Sequence, residues 1–105
     1  MSHRVVFAPE AEAQLVALYR YIRQAASADI AEHFTTAIIN HCEGLETFPN
    51  RGTPRDDIRP GLRTISFRRR VTIAYAVVTD QVSILGIYYA GQEIAVDWTD
   101  EDQQR

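Results

Sequence analysis

Apolar residues recur at helical spacing up to Leu45 and at strand spacing from Leu62, and this single change of period limits the folds open to the chain. A period near 3.6 buries one stripe of a helix, whereas a period of two buries one face of a strand, so helices come first and a sheet follows. Ala11, Leu15, Leu18, Tyr19 and Ile22 make the first stripe, with Glu12, Gln14, Arg20 and Arg23 among the polar positions around it. The helix they predict begins at Pro9, whose missing N–H suits a first turn, and ends near Ala25. Ala8 stands at its N-cap, where Ser, Thr or Asp would be worth about 1 kcal/mol more. Ile30, Phe34, Ala37, Ile38, Cys42 and Leu45 make the second stripe. Ser27 or Asp29 caps that helix, Asp29 with Glu32 as a capping box.

Arg4 to Phe7 reads as a short β-branched strand ahead of the first helix. Later, Leu62 to Phe67, Val71 to Val78 and Val82 to Tyr89 read as antiparallel strands, the last two joined tightly through Thr79, Asp80 and Gln81. The last carries apolar residues on both faces (Val82, Ile84, Tyr88 and Leu85, Ile87, Tyr89), as a covered central strand does. One ring of the Tyr88 and Tyr89 pair therefore faces the core. Between the two periodic regions Gly52, Pro54, Pro60 and Gly61 punctuate a loop of about a dozen residues, a length associated with function. The expected fold class is α+β: an N-terminal strand, a two-helix hairpin, then antiparallel strands forming a twisted sheet, in the order β-α-α-β-β-β. Residues 1–92 are expected to form one domain, and residues 93–105 an acidic C-terminal tail, partly disordered in isolation, with Asp97, Asp100, Glu101 and Asp102.

Charge is unevenly placed. The chain has 105 residues, eleven arginines, no lysine and a net charge of −3. Arg51 to Arg70 holds seven of those arginines against Asp56 and Asp57, about +5, which leaves about −8 elsewhere. A domain of this size buries roughly 65% of its unfolded surface and needs no covalent staple. Cys42 is the single cysteine, so no internal disulfide forms, as suits a reducing cytoplasm. The opening MSHRVVFAPE has no long apolar core of a signal peptide, and Ile84 to Ala90 is too short to span a bilayer. A cytoplasmic protein with no membrane partner is the expectation.

Most catalytic signatures are missing: there is no Gly-rich phosphate loop and no Ser or Cys nucleophile motif. His33 and His41 lie eight residues apart, about 12 Å along a helix, too far to share a metal. The chemical signal is the set Arg63, Arg68, Arg69 and Arg70, which straddles the first hairpin of the sheet. Guanidinium forks suit phosphate, carboxylate or an acidic protein partner, and they also serve as solubilising residues paired with the chain's own carboxylates. Tyr89 or Tyr88 offers a stacking surface if it is not core. Ile39 lies off the second stripe, so an exposed Ile39 would mark a partner surface, as would Tyr88 or Val78.

An ordered set of residues carries a family resemblance. Phe7, Pro9, Glu10 and Ala11 open the first helix, Tyr21 and Ile22 stand near its end, and Phe34 lies in the second. Phe48, Pro49, Gly52, Pro54, Arg55, Ile58, Arg59, Pro60, Gly61, Leu62 and Arg63 follow in the loop, and Tyr75 in a later strand. Together they resemble the ParE branch of the RelE/ParE toxin superfamily of type II toxin–antitoxin systems, often labelled plasmid stabilisation proteins, over about Val5 to Gln92. The resemblance implies two helices on a twisted antiparallel sheet and a cytoplasmic toxin neutralised by a cognate, ParD-like antitoxin whose C-terminal segment wraps it. It implies DNA gyrase as the target, poisoned by binding while it holds cleaved DNA, with no bond made or broken by the toxin and no cofactor or metal.

RelE-like relatives instead cleave mRNA on the ribosome, using basic residues and an acid/base or stacking group. This chain lacks lysine and has Gln92 where a basic residue often stands, while ParE patterns tend to carry a His and an Arg at the positions of Tyr89 and Gln92. Tyr89 to stack a base, with Arg63 or Arg68 to hold phosphate, keeps a ribonuclease as the alternative. A relic that binds antitoxin without toxicity is a third reading. Direct nucleic-acid contact is left open. An acidic or amphipathic antitoxin tail is expected to engage part of the arginine run.

Overall fold

The computed structural model describes residues 3–89. β1 (Arg4–Phe7) leads into α1 (Pro9–Ala25) and α2 (Ala28–Glu43), a 3-10 turn covers Gly44–Glu46, and β2 (Thr53–Pro54), β3 (Leu62–Phe67), β4 (Val71–Val78) and β5 (Gln81–Tyr89) follow. The acidic segment and Gln92 lie outside the described residues.

α1 starts at Pro9 with Ala8 making no side-chain cap, and Glu10 and Glu12 in its first turn complement the helix dipole instead. α2 is capped by Ser27, whose hydroxyl accepts the Ile30 N–H at 3.1 Å, so Asp29 is already inside the helix. That start sets which face is buried. Ala31, Thr35, Ile38 and Cys42 form the inner stripe, and Ile30, expected in it, is 54% exposed because it sits a third of a turn away. Thr35 tolerates burial because its hydroxyl donates to the Ala31 carbonyl at 2.9 Å. Ile39 is half-buried and Val78 is exposed.

The five strands form one sheet in the order β1-β5-β4-β3-β2. β3, β4 and β5 pair antiparallel, as the alternation predicts. β1 joins β5 in parallel, which makes the sheet mixed; the chain passes through both helices and β2 to β4 before β5, ample length for a parallel neighbour. β2 adds a two-residue edge to β3 within the segment that reads as loop.

A bulge opposite Ala74 and Tyr75 reshapes β5. Val82 and Ile84 face the helices before it, and Ile87 and Tyr89 after it, opposite Val77, Tyr75, Ile73 and Val71 of β4. The two faces read from simple alternation are therefore exchanged halfway along the strand. Gln14 of α1 accepts the Ile87 N–H at 2.7 Å beside this irregularity, tying helix to sheet. The core lies between the helix hairpin and the sheet, built from Leu18, Ile22, Ile38 and Leu45 against Ile73, Tyr75, Val82, Ile84 and Ile87. No helix among the described residues is long and apolar enough to cross a membrane.

Candidate functional site

The arginines of the basic segment fall into two groups with different surroundings. Arg63 pairs with Tyr75 across β3 and β4, and both side chains reach the loop that precedes β2. Arg63 Nη1 donates to the carbonyls of Gly52 at 2.7 Å and Asn50 at 3.2 Å. The buried Tyr75 hydroxyl donates to the Pro49 carbonyl and accepts the Gly52 N–H, both at 2.8 Å. Burial holds that hydroxyl above the ordinary phenol range, so it stays protonated and able to donate.

Gly52 is required by this contact: a Cβ there would meet the Tyr75 hydroxyl at 2.6 Å and the Thr64 carbonyl at 2.7 Å. Further along, Asp56 accepts the Gly61 N–H at 2.8 Å. Asp57 takes a two-pronged contact from Arg55 at 3.1 Å, a hydrogen bond that holds its carboxyl below the usual range. The long loop is thus tied down by polar contacts at several points.

Arg68, Arg69 and Arg70 sit at the opposite end of β3, in the turn to β4 closed by the Arg70 N–H on the Phe67 carbonyl. Arg68 and Arg69 both occupy left-handed backbone, at φ 52° and 65°. The Arg68 guanidinium lies over the Phe67 ring, 4.9 Å from its centre, and 5.8 Å from that of Phe34. These rings belong to a longer row. Tyr21 meets Tyr89 at 5.9 Å, Tyr89 meets Phe34 at 6.0 Å, Phe34 meets Phe67 at 5.9 Å, and Phe67 meets His41 at 5.1 Å. α1 supplies Tyr21, α2 supplies Phe34 and His41, and the ends of β3 and β5 supply the rest. His41 Nε2 is buried here without a hydrogen-bond partner, and desolvation, aided by the nearby Arg51 charge, lowers the pKa of the ring.

Tyr89 is therefore the ring that faces the helices. Tyr88 points to the other face and lies over Gly86, where a Cβ would meet its ring at 2.5 to 2.7 Å. Ile39, half-buried on α2, does not provide the exposed isoleucine that would mark a partner surface. Cys42 is fully buried, and that burial pushes its thiol up to about 12, which makes it inert at neutral pH. A concavity of about 420 Å³ lined by His3, Arg4, Val5, Glu43 and Glu46 lies away from both arginine groups. Among the described residues no three potential metal ligands converge.

The sequence reading missed the ring row and the loop clamp for the same reason. Tyr21, Phe34, His41 and Phe67 are far apart in the chain, as are Gly52 and Tyr75. The available signal was Tyr75 and Gly52 standing together in the resemblance without a stated role.

Residues 5–94 match the family model for the ParE toxin of the type II toxin–antitoxin system, parDE. The chain belongs to the ParE toxin family. Among solved structures it is similar to one described as the chromosomal ParDE TA system from P. aeruginosa, with 22% identity and a TM-score of 0.74, covering 84% of this chain and 96% of that one. At that identity the likeness shows the fold. No curated protein matches the chain. In this ParE-family member the glycine, arginine and tyrosine of the shared pattern are the residues that hold the loop: Gly52 makes room, Tyr75 and Arg63 supply the hydrogen bonds.

Proposed function

We propose that this ParE-family chain is the toxin of a cytoplasmic toxin–antitoxin pair that acts by binding DNA gyrase, without catalysis, and is neutralised by a cognate ParD-like antitoxin. The family match over residues 5–94 carries the toxin assignment. Residues 1–92 are the toxin domain in this reading, and residues 93–105 an acidic tail.

The state of the candidate residues supports binding over ribonuclease chemistry. Arg63, one of the two arginines a ribonuclease could place on phosphate, has Nη1 engaged by two backbone carbonyls. Tyr89, the base-stacking candidate, is packed against Tyr21 and Phe34. The exposed arginines remain for contact with gyrase or with an acidic antitoxin tail.

Expression without antitoxin should arrest growth, and purified protein should reduce gyrase supercoiling while cleaved DNA accumulates. Unchanged supercoiling and cleavage at micromolar protein would remove gyrase as the target. Cuts in ribosome-bound message, lost in Tyr89→Phe, would move the reading to an mRNA interferase. Normal growth would point to a relic.

A further inference from the structure

We propose that the Arg68–Arg70 turn and the adjoining ring row form a binding site for single-stranded nucleic acid, with phosphates on Arg69 and Arg70 and a base stacked on the outer face of Arg68. This contact is with nucleic acid itself and stands independently of gyrase as target.

Three observations converge on it. The turn carries residues that its backbone does not favour. Left-handed backbone at both central positions favours Asn-Gly or Asp-Gly, and a side chain with a Cβ costs about 1–2 kcal/mol at each. Arginine occupies both positions here, at φ 52° and 65°. The hairpin requires this backbone but not arginine, so two arginines where Asn-Gly would fit more easily point to a use for their side chains.

The charges are also uncommitted. The ion pair among the described residues joins Arg55 to Asp57, and Arg69 and Arg70, both exposed, take no part in it. Three consecutive arginines project from one tight turn with no carboxylate paired to them among the described residues. Such a group suits closely spaced phosphates better than scattered carboxylates.

The third observation is the surface beside the charges. Arg68 is exposed, and its guanidinium lies over the Phe67 ring, 4.9 Å from the ring centre. A guanidinium plane backed by an aromatic ring is a stacking platform for a base. At the far end of the row Tyr21 is 43% exposed and offers a second aromatic surface, while Phe34 and Tyr89 between them are packed against the core. Aromatic surface flanked by unpaired cations is the combination that single strands use, and an acidic protein surface would have no need of the ring row.

The test uses the full chain and a fluorescently labelled 12-nucleotide DNA strand of mixed sequence in an anisotropy titration at several salt concentrations. Binding should weaken with salt at a log–log slope of about −1.4, the value for two phosphate contacts on a single strand. Arg69→Ala/Arg70→Ala should lower affinity at least tenfold and remove most of the salt dependence. Arg68→Ala should lower affinity several-fold, with circular dichroism confirming that each variant is folded. Arg59→Ala, in the loop beyond the other end of β3, should leave binding unchanged. No binding at low salt would overturn the proposal, as would binding that the turn variants leave intact. So would a turn that takes up poly-glutamate in an arginine-dependent way while the oligonucleotide does not bind. A failed gyrase assay with intact oligonucleotide binding would remove the gyrase reading and leave this one standing.

Discussion

The two ends of β3 use the same residue for opposite purposes. Arg63, near its start, turns its guanidinium onto the backbone of its own loop, while Arg68 to Arg70, just past its end, meet solvent and a ring face. The difference comes from position in the sheet. Arg63 lies across from Tyr75 on the helix-facing side, within reach of the 49–52 backbone, so its charge is consumed in holding the fold. The turn arginines make no such backbone contact among the described residues. Composition alone assigns all of them to one basic patch, whereas the structure bonds one group to its own loop and leaves the other exposed.

Gly52→Ala should break the pinned end most severely. The new methyl would collide with Tyr75 and with the Thr64 backbone, which cannot swing away, at a cost of about 3 kcal/mol in denaturant unfolding. Recovery of full stability in that variant would show that the loop is not fixed by this contact. Tyr75→Phe should cost about 2 kcal/mol by leaving the Gly52 N–H without its partner, and Arg63→Met about 1 kcal/mol. Because both hold one loop, their effects should be non-additive in a double-mutant cycle. Simple additivity would mean that the two clamps act separately.

At the turn the expected sign reverses. Arg69→Asn should stabilise the fold by about 0.5–1 kcal/mol, read as a raised unfolding midpoint, since asparagine tolerates left-handed backbone better than arginine. Loss of stability there would mean that Arg69 holds the fold as Arg63 does, and the contrast between the ends would fail.

The smallest effect concerns pH. His41 has its pKa lowered on folding, first by burial and then by Arg51, so the fold favours the neutral ring. Its contribution is complete above the unfolded value near 6.5 and is lost as pH falls through the lowered folded value. His41→Phe should flatten stability against pH across that window, measured by urea unfolding at a series of pH values. An unchanged slope would place the acid sensitivity in other groups.

Much of the architecture was legible because it is local. The strand bounds Leu62–Phe67 and Val71–Val78 follow from alternation, and α1 from its stripe and Pro9. Where the reading slipped, a neighbour distant in the chain decided. The start of α2 at Ser27 set the buried face and left Ile30 outside, and the bulge opposite Ala74 and Tyr75 turned Tyr89 rather than Tyr88 toward the helices. The candidate site was half legible. The arginines stand out in composition, but the rings beside them come from four separate elements and share no sequence signal.

By itself the sequence determined the order of helix and strand, the position of the long loop and the family to which the chain belongs, since each of these is written in spacing and residue type. Tertiary structure alone decided which arginines are structural and which face outward, that β1 enters the sheet in parallel, and that five rings form one row. Those depend on register and on contacts between segments dozens of residues apart, where a shift of one position moves a side chain from one face of the sheet to the other.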